Sequence, residues 1–265
     1  MRYLVLVLLF VSNVTYGTFL PENNLDQEDN YLTANMSEYE FNNLIYEFYS
    51  TYQSIYENLG YRLSVKGNWS DSTVNAYTYM EGNTVYIEIF GGLARRPELS
   101  LDGFSSVLCH EAGHTLAGFP FYQGEGMAAE GQADYYTTQV CHKRIWQYSN
   151  NQGYASFLDA EAKVNCNSTS DKELCYRSQA AGLSLAKLLS NGGRVSYSTP
   201  DRTVVRSTQT SHPNAQCRLD TYGAGSLCGV QWNDNVVPLS EEESYWYLCK
   251  SGQAARPRCW FAPRM

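Results

Sequence analysis

The sequence predicts an α+β fold, a small sheet set against two facing helices and stapled by disulfides, and three observations predict it. Alternating apolar residues on either side of Glu81-Gly82-Asn83 read as a hairpin. Two later segments carry helical spacing, with His110 and His114 one turn apart on the first and Glu130 and Asp134 one turn apart on the second. Eight cysteines, an even number, follow an apolar amino-terminal run and suit an oxidising compartment. At 265 residues the chain suffices for one enlarged domain with a substantial core.

The elements follow in chain order. Residues 1–17 read as a signal peptide: Arg2 supplies the charge, Leu4 to Val11 the apolar run, and Thr15 and Gly17 the small residues before a cut. Residues 18–36 are polar, acidic and aperiodic, so a flexible lead or pro-segment is expected there. Ser37 and Glu40 then form a capping box ahead of a helix whose apolar stripe runs from Phe41 to Tyr56 and stops at Gly60. Residues 61–65, 74–80 and 84–90 alternate like strands. Gly91-Gly92 ends the last of them, and Ser100 or Asp102 can cap a helix that reaches Gly118. A loop with Pro120, Gly124 and Gly126 leads to a second helix over 127–148. Residues 178–189 read as helix, and Pro213 can open another. The expected domain is 37–227, with 228–265 a cysteine-containing extension packed on it.

Among the cysteines, the close pairs Cys166/Cys175, Cys217/Cys228 and Cys249/Cys259 suggest short bridged loops, while Cys109 is either bridged to Cys141 or a buried thiol. A net charge of -8 argues against nucleic acid or an anionic membrane as partner, because both need a basic footprint. No stretch after residue 17 approaches the roughly 18 apolar residues of a membrane span, so a soluble chain, periplasmic or secreted, is expected.

The chemistry concentrates in His110-Glu111-Ala112-Gly113-His114. Two histidines four apart on a helix share a face and can hold one metal ion, and Glu111 beside them can act as general base on a metal-bound water. Glu130 offers the third ligand of a His-His-Glu zinc set that leaves one position open, with Asp134 orienting a ligating imidazole. The reverse assignment, Asp134 as ligand and Glu130 as support, is also chemically sound. A metzincin pattern is excluded, since Ala117 and Pro120 stand where it requires Gly and His. His142 has no such company and reads as a surface residue.

Taken together, Asn75-Ala76, the strand 84–90 followed by Gly91-Gly92-Leu93, the His110–His114 motif, Glu130-x-x-Ala133-Asp134, and His212-Pro213 followed by Arg218 resemble the gluzincin peptidases of the HtpX and CAAX prenyl protease kind. The resemblance implies a zincin-like fold and one zinc ion per chain, with Glu111 as base and Glu130 as ligand. It also implies that an edge strand above the cleft holds the substrate backbone, which gives that role to 84–90 through Val85, Ile87 and Ile89. His212 would approach the zinc, to stabilise the developing oxyanion or to shut the site, and Arg218 would brace that segment or contact substrate. The short gap between the two metal helices and the cysteine-rich tail depart from the pattern. The expected function is a zinc-dependent endopeptidase acting on extended or unfolded polypeptide. The alternatives are a zinc-stabilised, chaperone-like binding protein and a latent peptidase held shut by His212 or by the lead.

Overall fold

The computed structural model describes residues 16–28, 35–122 and 126–263. Most of the expected signal peptide therefore lies outside the described residues. The chain is α+β, with one four-stranded sheet.

The first strand, β1 (Gly17–Thr18), lies within what the sequence suggests is the end of a leader. After it, Ser37 caps α1 (Glu38–Asn58), and the Glu40 carboxylate returns to the Ser37 amide at 2.7 Å, completing the capping box. Phe41, Phe48, Tyr52 and Tyr56 form the buried face of α1, which packs on β2 (Arg62–Asn68). β3 (Ala76–Glu81) and β4 (Thr84–Phe90) form the expected antiparallel hairpin, with Gly82 at φ 59° in the turn, a conformation that glycine adopts without strain. β2 pairs with β4 in parallel, and β1 pairs with β3 antiparallel, giving the order β1-β3-β4-β2.

That order corrects the expected role of strand 84–90. β4 is paired on both sides, so it has no free edge to offer a peptide, and Val85, Ile87 and Ile89 are fully buried core residues. They pack with Phe41, Phe104, Val107 and Leu108. The strand that faces the candidate site is β3, whose outer side carries the two-residue β1.

The expected lead is packed on the domain where it is described, over residues 18–28. Phe19 and Leu20 are buried, Leu25 and Asp26 bond across to residues 73 and 74, and the Arg95 guanidinium donates to the Gln27 carbonyl at 2.9 and 3.0 Å. Residues 16–28 are thus fixed to the domain by an internal arginine and by sheet pairing.

After a short turn, α2 (Gly91–Ala94), Ser100 rather than Asp102 caps α3 (Leu101–Leu116), by accepting from the Gly103 amide. The second metal helix runs as α4 (Glu130–Tyr136), a wider π-helical turn over Thr137–Cys141, and α5 (His142–Trp146). A Cβ on Gly113 would come within 2.9 Å of the Ala133 Cα, so glycine on α3 and alanine on α4 permit a close crossing. The rest is helical: α6 (Ala160–Cys166), α7 (Lys172–Leu189), α8 (Ala215–Leu227, capped by Asn214) and the single turn α9 (Glu241–Ser244).

Four disulfides form. Cys109–Cys141 ties α3 to the π-turn and Cys166–Cys175 closes a short loop. The expected pairs Cys217/Cys228 and Cys249/Cys259 do not form. Cys217 sits at the start of α8 and Cys228 just after its end, a helix length apart, so each bonds instead to the tail, as Cys217–Cys259 and Cys228–Cys249. Those two bridges hold the C-terminal extension on the same domain. No helix among the described residues is long and apolar enough to cross a membrane.

Candidate metal centre

The crossing of α3 and α4 brings His110, His114 and Glu130 together, all buried. His110 Nε2 lies 3.2 Å from Glu130 Oε2, and His114 Nε2 lies 3.7 Å from Glu130 Oε1. His110 Nδ1 donates to Asp134 Oδ1 at 2.8 Å and His114 Nδ1 donates to the Ala128 carbonyl at 2.9 Å. When neutral, both rings are therefore fixed in the tautomer that leaves Nε2 as a bare acceptor. Neither Nε2, nor Glu130 Oε2, nor Glu111 Oε1 has a hydrogen-bond partner. With both rings neutral these buried lone pairs converge with no donor among them, which is costly unless a cation, a metal ion or a proton on His110, joins them. Ligand bonds of about 2.0–2.1 Å set the corners of a tetrahedral zinc site ~3.3 Å apart, near the 3.2 and 3.7 Å from the two Nε2 atoms to the Glu130 oxygens. The residues present fit the ion.

Glu111 belongs to the same cluster: its carboxylate and the two imidazoles offer ligand atoms within 4.8 Å of one another. Its Oε2 accepts from the Thr78 hydroxyl at 2.7 Å, so β3 fixes the orientation of this side chain. Burial raises the Glu111 carboxyl to about 7, against the opposing pull of His110 and the Thr78 bond. Glu130 differs, because burial raises its pKa but the neighbouring imidazoles outweigh burial and hold it below the ordinary carboxylate value. Burial alone dominates at His114, which falls to about 4. At His110 the same burial is overcome by the charge and hydrogen bond of Asp134, and its pKa rises to about 9.

Asp134 is the hub of the supporting network. Arg218 meets it through two bonds of 2.7 Å, Nε to Oδ2 and Nη2 to Oδ1, and the Tyr222 hydroxyl donates to Oδ1 at 2.6 Å. All three side chains are fully buried. The Arg218 charge outweighs burial and holds Asp134 well below its usual range. With both oxygens engaged by these donors, Asp134 is the support and Glu130 the group facing the two Nε2 atoms. His212 completes the ring of side chains: Nε2 lies 3.4 Å from Glu130 Oε1 and donates to the Thr18 carbonyl at 2.8 Å. Burial lowers its pKa, which keeps the ring neutral and Nε2–H a donor.

Of the residues expected from the sequence, His110, Glu111, His114, Glu130, Asp134, His212 and Arg218 are brought together; Val85, Ile87 and Ile89 are not. His142 is fully buried, not on the surface. Thr78, Ala128 and Tyr222 escape sequence reading. Tyr222, four residues past Arg218 on one helix, carried a usable signal in that spacing; the carbonyl of Ala128 carried none. A separate groove of about 920 Å³, lined by Tyr197, Asp220, Lys250 and Arg256 among others, includes none of these residues, so cavity size does not mark this site. Comparison of the chain with protein-family models, with curated proteins and with solved structures returned no match.

Proposed function

We propose that the chain is a zinc-dependent endopeptidase that hydrolyses extended or unfolded polypeptides, as a soluble exported protein of the kind the gluzincin resemblance suggests. The observation that carries this reading is the set of buried, donor-free atoms of His110, His114 and Glu130 beside the protonatable carboxyl of Glu111. His110, His114 and Glu130 would hold the ion, which supplies a water acidic enough to ionise near neutral pH and a positive charge that polarises a carbonyl.

The protein's own groups account for the rest. Glu111, oriented by Thr78, takes a proton from the attacking water and delivers it to the leaving nitrogen. Asp134, clamped by Arg218 and Tyr222, holds His110 in the ligating tautomer. His212 presents a neutral N–H where a carbonyl oxygen gains charge. In place of β1, an extended peptide would pair with the main-chain groups of β3 without demanding a sequence. Four disulfides support an oxidising, extracytoplasmic setting. A self-inhibited state of the same enzyme is favoured by one further observation, that Gly17–Thr18 already pairs with β3.

Hydrolysis of unfolded casein by the zinc-loaded chain tests the proposal. Glu111→Gln should lower the rate by about 10²–10⁴-fold while bound zinc stays at one per chain. Equal rates in the two proteins, or a zinc-loaded chain that cleaves nothing either whole or with residues 1–18 removed to relieve self-inhibition, would overturn it.

A further inference from the structure

Residues 17–20 lie against the candidate site, extended at Gly17–Thr18 and bending at Phe19 and Leu20, and their backbone groups are met by β3, by Asn75 or by a side chain of the site. Gly17 and Thr18 pair antiparallel with Thr78 and Tyr77 of β3. The Thr18 carbonyl accepts from His212 at 2.8 Å. The Phe19 amide donates to the Ala76 carbonyl at 3.2 Å and the Phe19 carbonyl accepts from Arg218 at 2.8 Å. The Leu20 amide and carbonyl both bond the Asn75 side chain, at 2.9 and 3.2 Å. The Phe19 ring is fully buried, edge-on to His110 at 5.5 Å and beneath the Arg218 guanidinium at 5.0 Å. A Cβ on Gly17 would stand 2.4 Å from the His114 ring, so the chain passes as close to the metal-facing imidazoles as glycine allows.

Buried carbonyls need donors in any fold, but here the donors on two successive carbonyls are His212 and Arg218 of the candidate site rather than a neighbouring strand. The bond between Thr18 and Phe19 has its carbonyl oxygen on a neutral N–H donor, which polarises it, and its N–H on a main-chain acceptor, which fixes the bond in place. We propose that Thr18–Phe19 is a self-processing site, cut within the same molecule, and that the groove takes a large aromatic or apolar residue on the C-terminal side of the bond it cleaves. This rests on the peptidase reading. One water is consumed: its oxygen bonds to the Thr18 carbonyl carbon, the C–N bond to Phe19 breaks, and the proton held by Glu111 passes to the Phe19 nitrogen. The products are a Thr18 carboxylate and a new amino terminus at Phe19.

The test uses the full chain, synthesised cell-free under oxidising conditions without membranes, so that no signal peptidase acts. After zinc is added, intact mass and N-terminal sequencing should show a terminus at Phe19 in the wild type, formed at a rate independent of protein concentration, and none in Glu111→Gln. Phe19→Ala should slow the cut by at least about 100-fold. In metal-free protein, where no hydrolysis intervenes, the Phe19 and Leu20 amides should exchange with solvent at least ~100-fold more slowly than in a free peptide. Free-peptide exchange at both amides would overturn the proposal by showing the groove unoccupied. A chain that degrades casein but keeps Thr18–Phe19 intact would overturn self-processing and leave the peptidase reading standing. A chain that cleaves neither would overturn self-processing, and the peptidase reading falls with it when the chain lacking residues 1–18 is also inactive on casein.

Discussion

The same two helices meet twice in this protein, and each meeting buries histidine. At one, His110 and His114 of α3 face Glu130 and Asp134 of α4; at the other, Cys109 of α3 bonds to Cys141, and Ser106 meets His142. Three of the four imidazoles of the chain, those of His110, His114 and His142, are essentially without solvent exposure, and each leaves one ring nitrogen without a partner. What separates them is the company of that nitrogen. The Ser106 hydroxyl donates to the Asp102 carbonyl at 2.8 Å, so His142 Nε2–H must be the donor in its 2.8 Å contact with Ser106, and the bare atom is Nδ1. No carboxylate opposes it; the ring stacks against Trp146 at 4.2 Å, with Arg177 nearby. Buried imidazole alone therefore marks nothing. Converging bare nitrogens with a carboxylate between them are what the proposed cation site rests on.

The contrast predicts that damage to one meeting point is read in metal binding and damage to the other in stability. The largest effect is expected at Asp134→Asn. It removes the orienting carboxylate of His110 and strands the fully buried Arg218, costing about 3–5 kcal/mol of stability and weakening zinc by about 10–100-fold. Denaturant melts and a competitive chelator assay measure the two separately, and a loss of stability with unchanged zinc affinity would break the assignment of Asp134. Replacing Cys109 and Cys141 together by alanine opens a loop with a sequence separation of 32 residues and should cost about 3–4 kcal/mol, leaving zinc affinity nearly unchanged once the protein is folded. Weakened zinc in the folded double variant would show that the bridge also shapes the metal site.

The smallest effect is the most specific to His142. Burial and the nearby Arg177 charge depress its pKa well below 6.5 in the folded chain. The unfolded chain then binds the extra proton first, so the contribution of this residue to stability is whole above pH ~6.5 and falls by up to about 1.4 kcal/mol per pH unit below it. His142→Phe removes that proton uptake, and the stability difference between the two proteins should tilt toward the variant between pH 6.5 and 5. A difference that stays flat with pH would mean that His142 is protonated or solvated in the fold.

Local signals carried much of this into the sequence. The capping box of α1 and the Gly82 turn are decided by residues within a few positions of each other, and the i, i+4 pairs on α3 and α4 set which side chains share a face. Sheet order was not legible: alternation along β4 reports one covered face and is silent on whether neighbours occupy both edges, and its parallel partner β2 arrives through a non-local crossover. Cysteine pairing failed where a helix intervened, because α8 carries Cys217 and Cys228 to opposite ends. Composition misled at the lead, where buried Phe19 and Leu20 stand amid polar residues and are held by Arg218 and Asn75, distant in sequence. The site itself was legible in its ligating types but not in its main-chain partner Ala128 or in Thr78, whose hydroxyl reaches Glu111 only once β3 lies beside α3.

The most direct test of the central claim is calorimetric titration of zinc into metal-free protein, comparing wild type, Glu130→Gln and Glu111→Gln. The account predicts one zinc per chain, affinity lowered by more than about 100-fold in Glu130→Gln, and near-wild-type affinity in Glu111→Gln. No zinc uptake by the wild type would contradict it outright. Loss of zinc in Glu111→Gln with none in Glu130→Gln would make the ligand set His110, Glu111 and His114, and would remove the general base from the proposed chemistry.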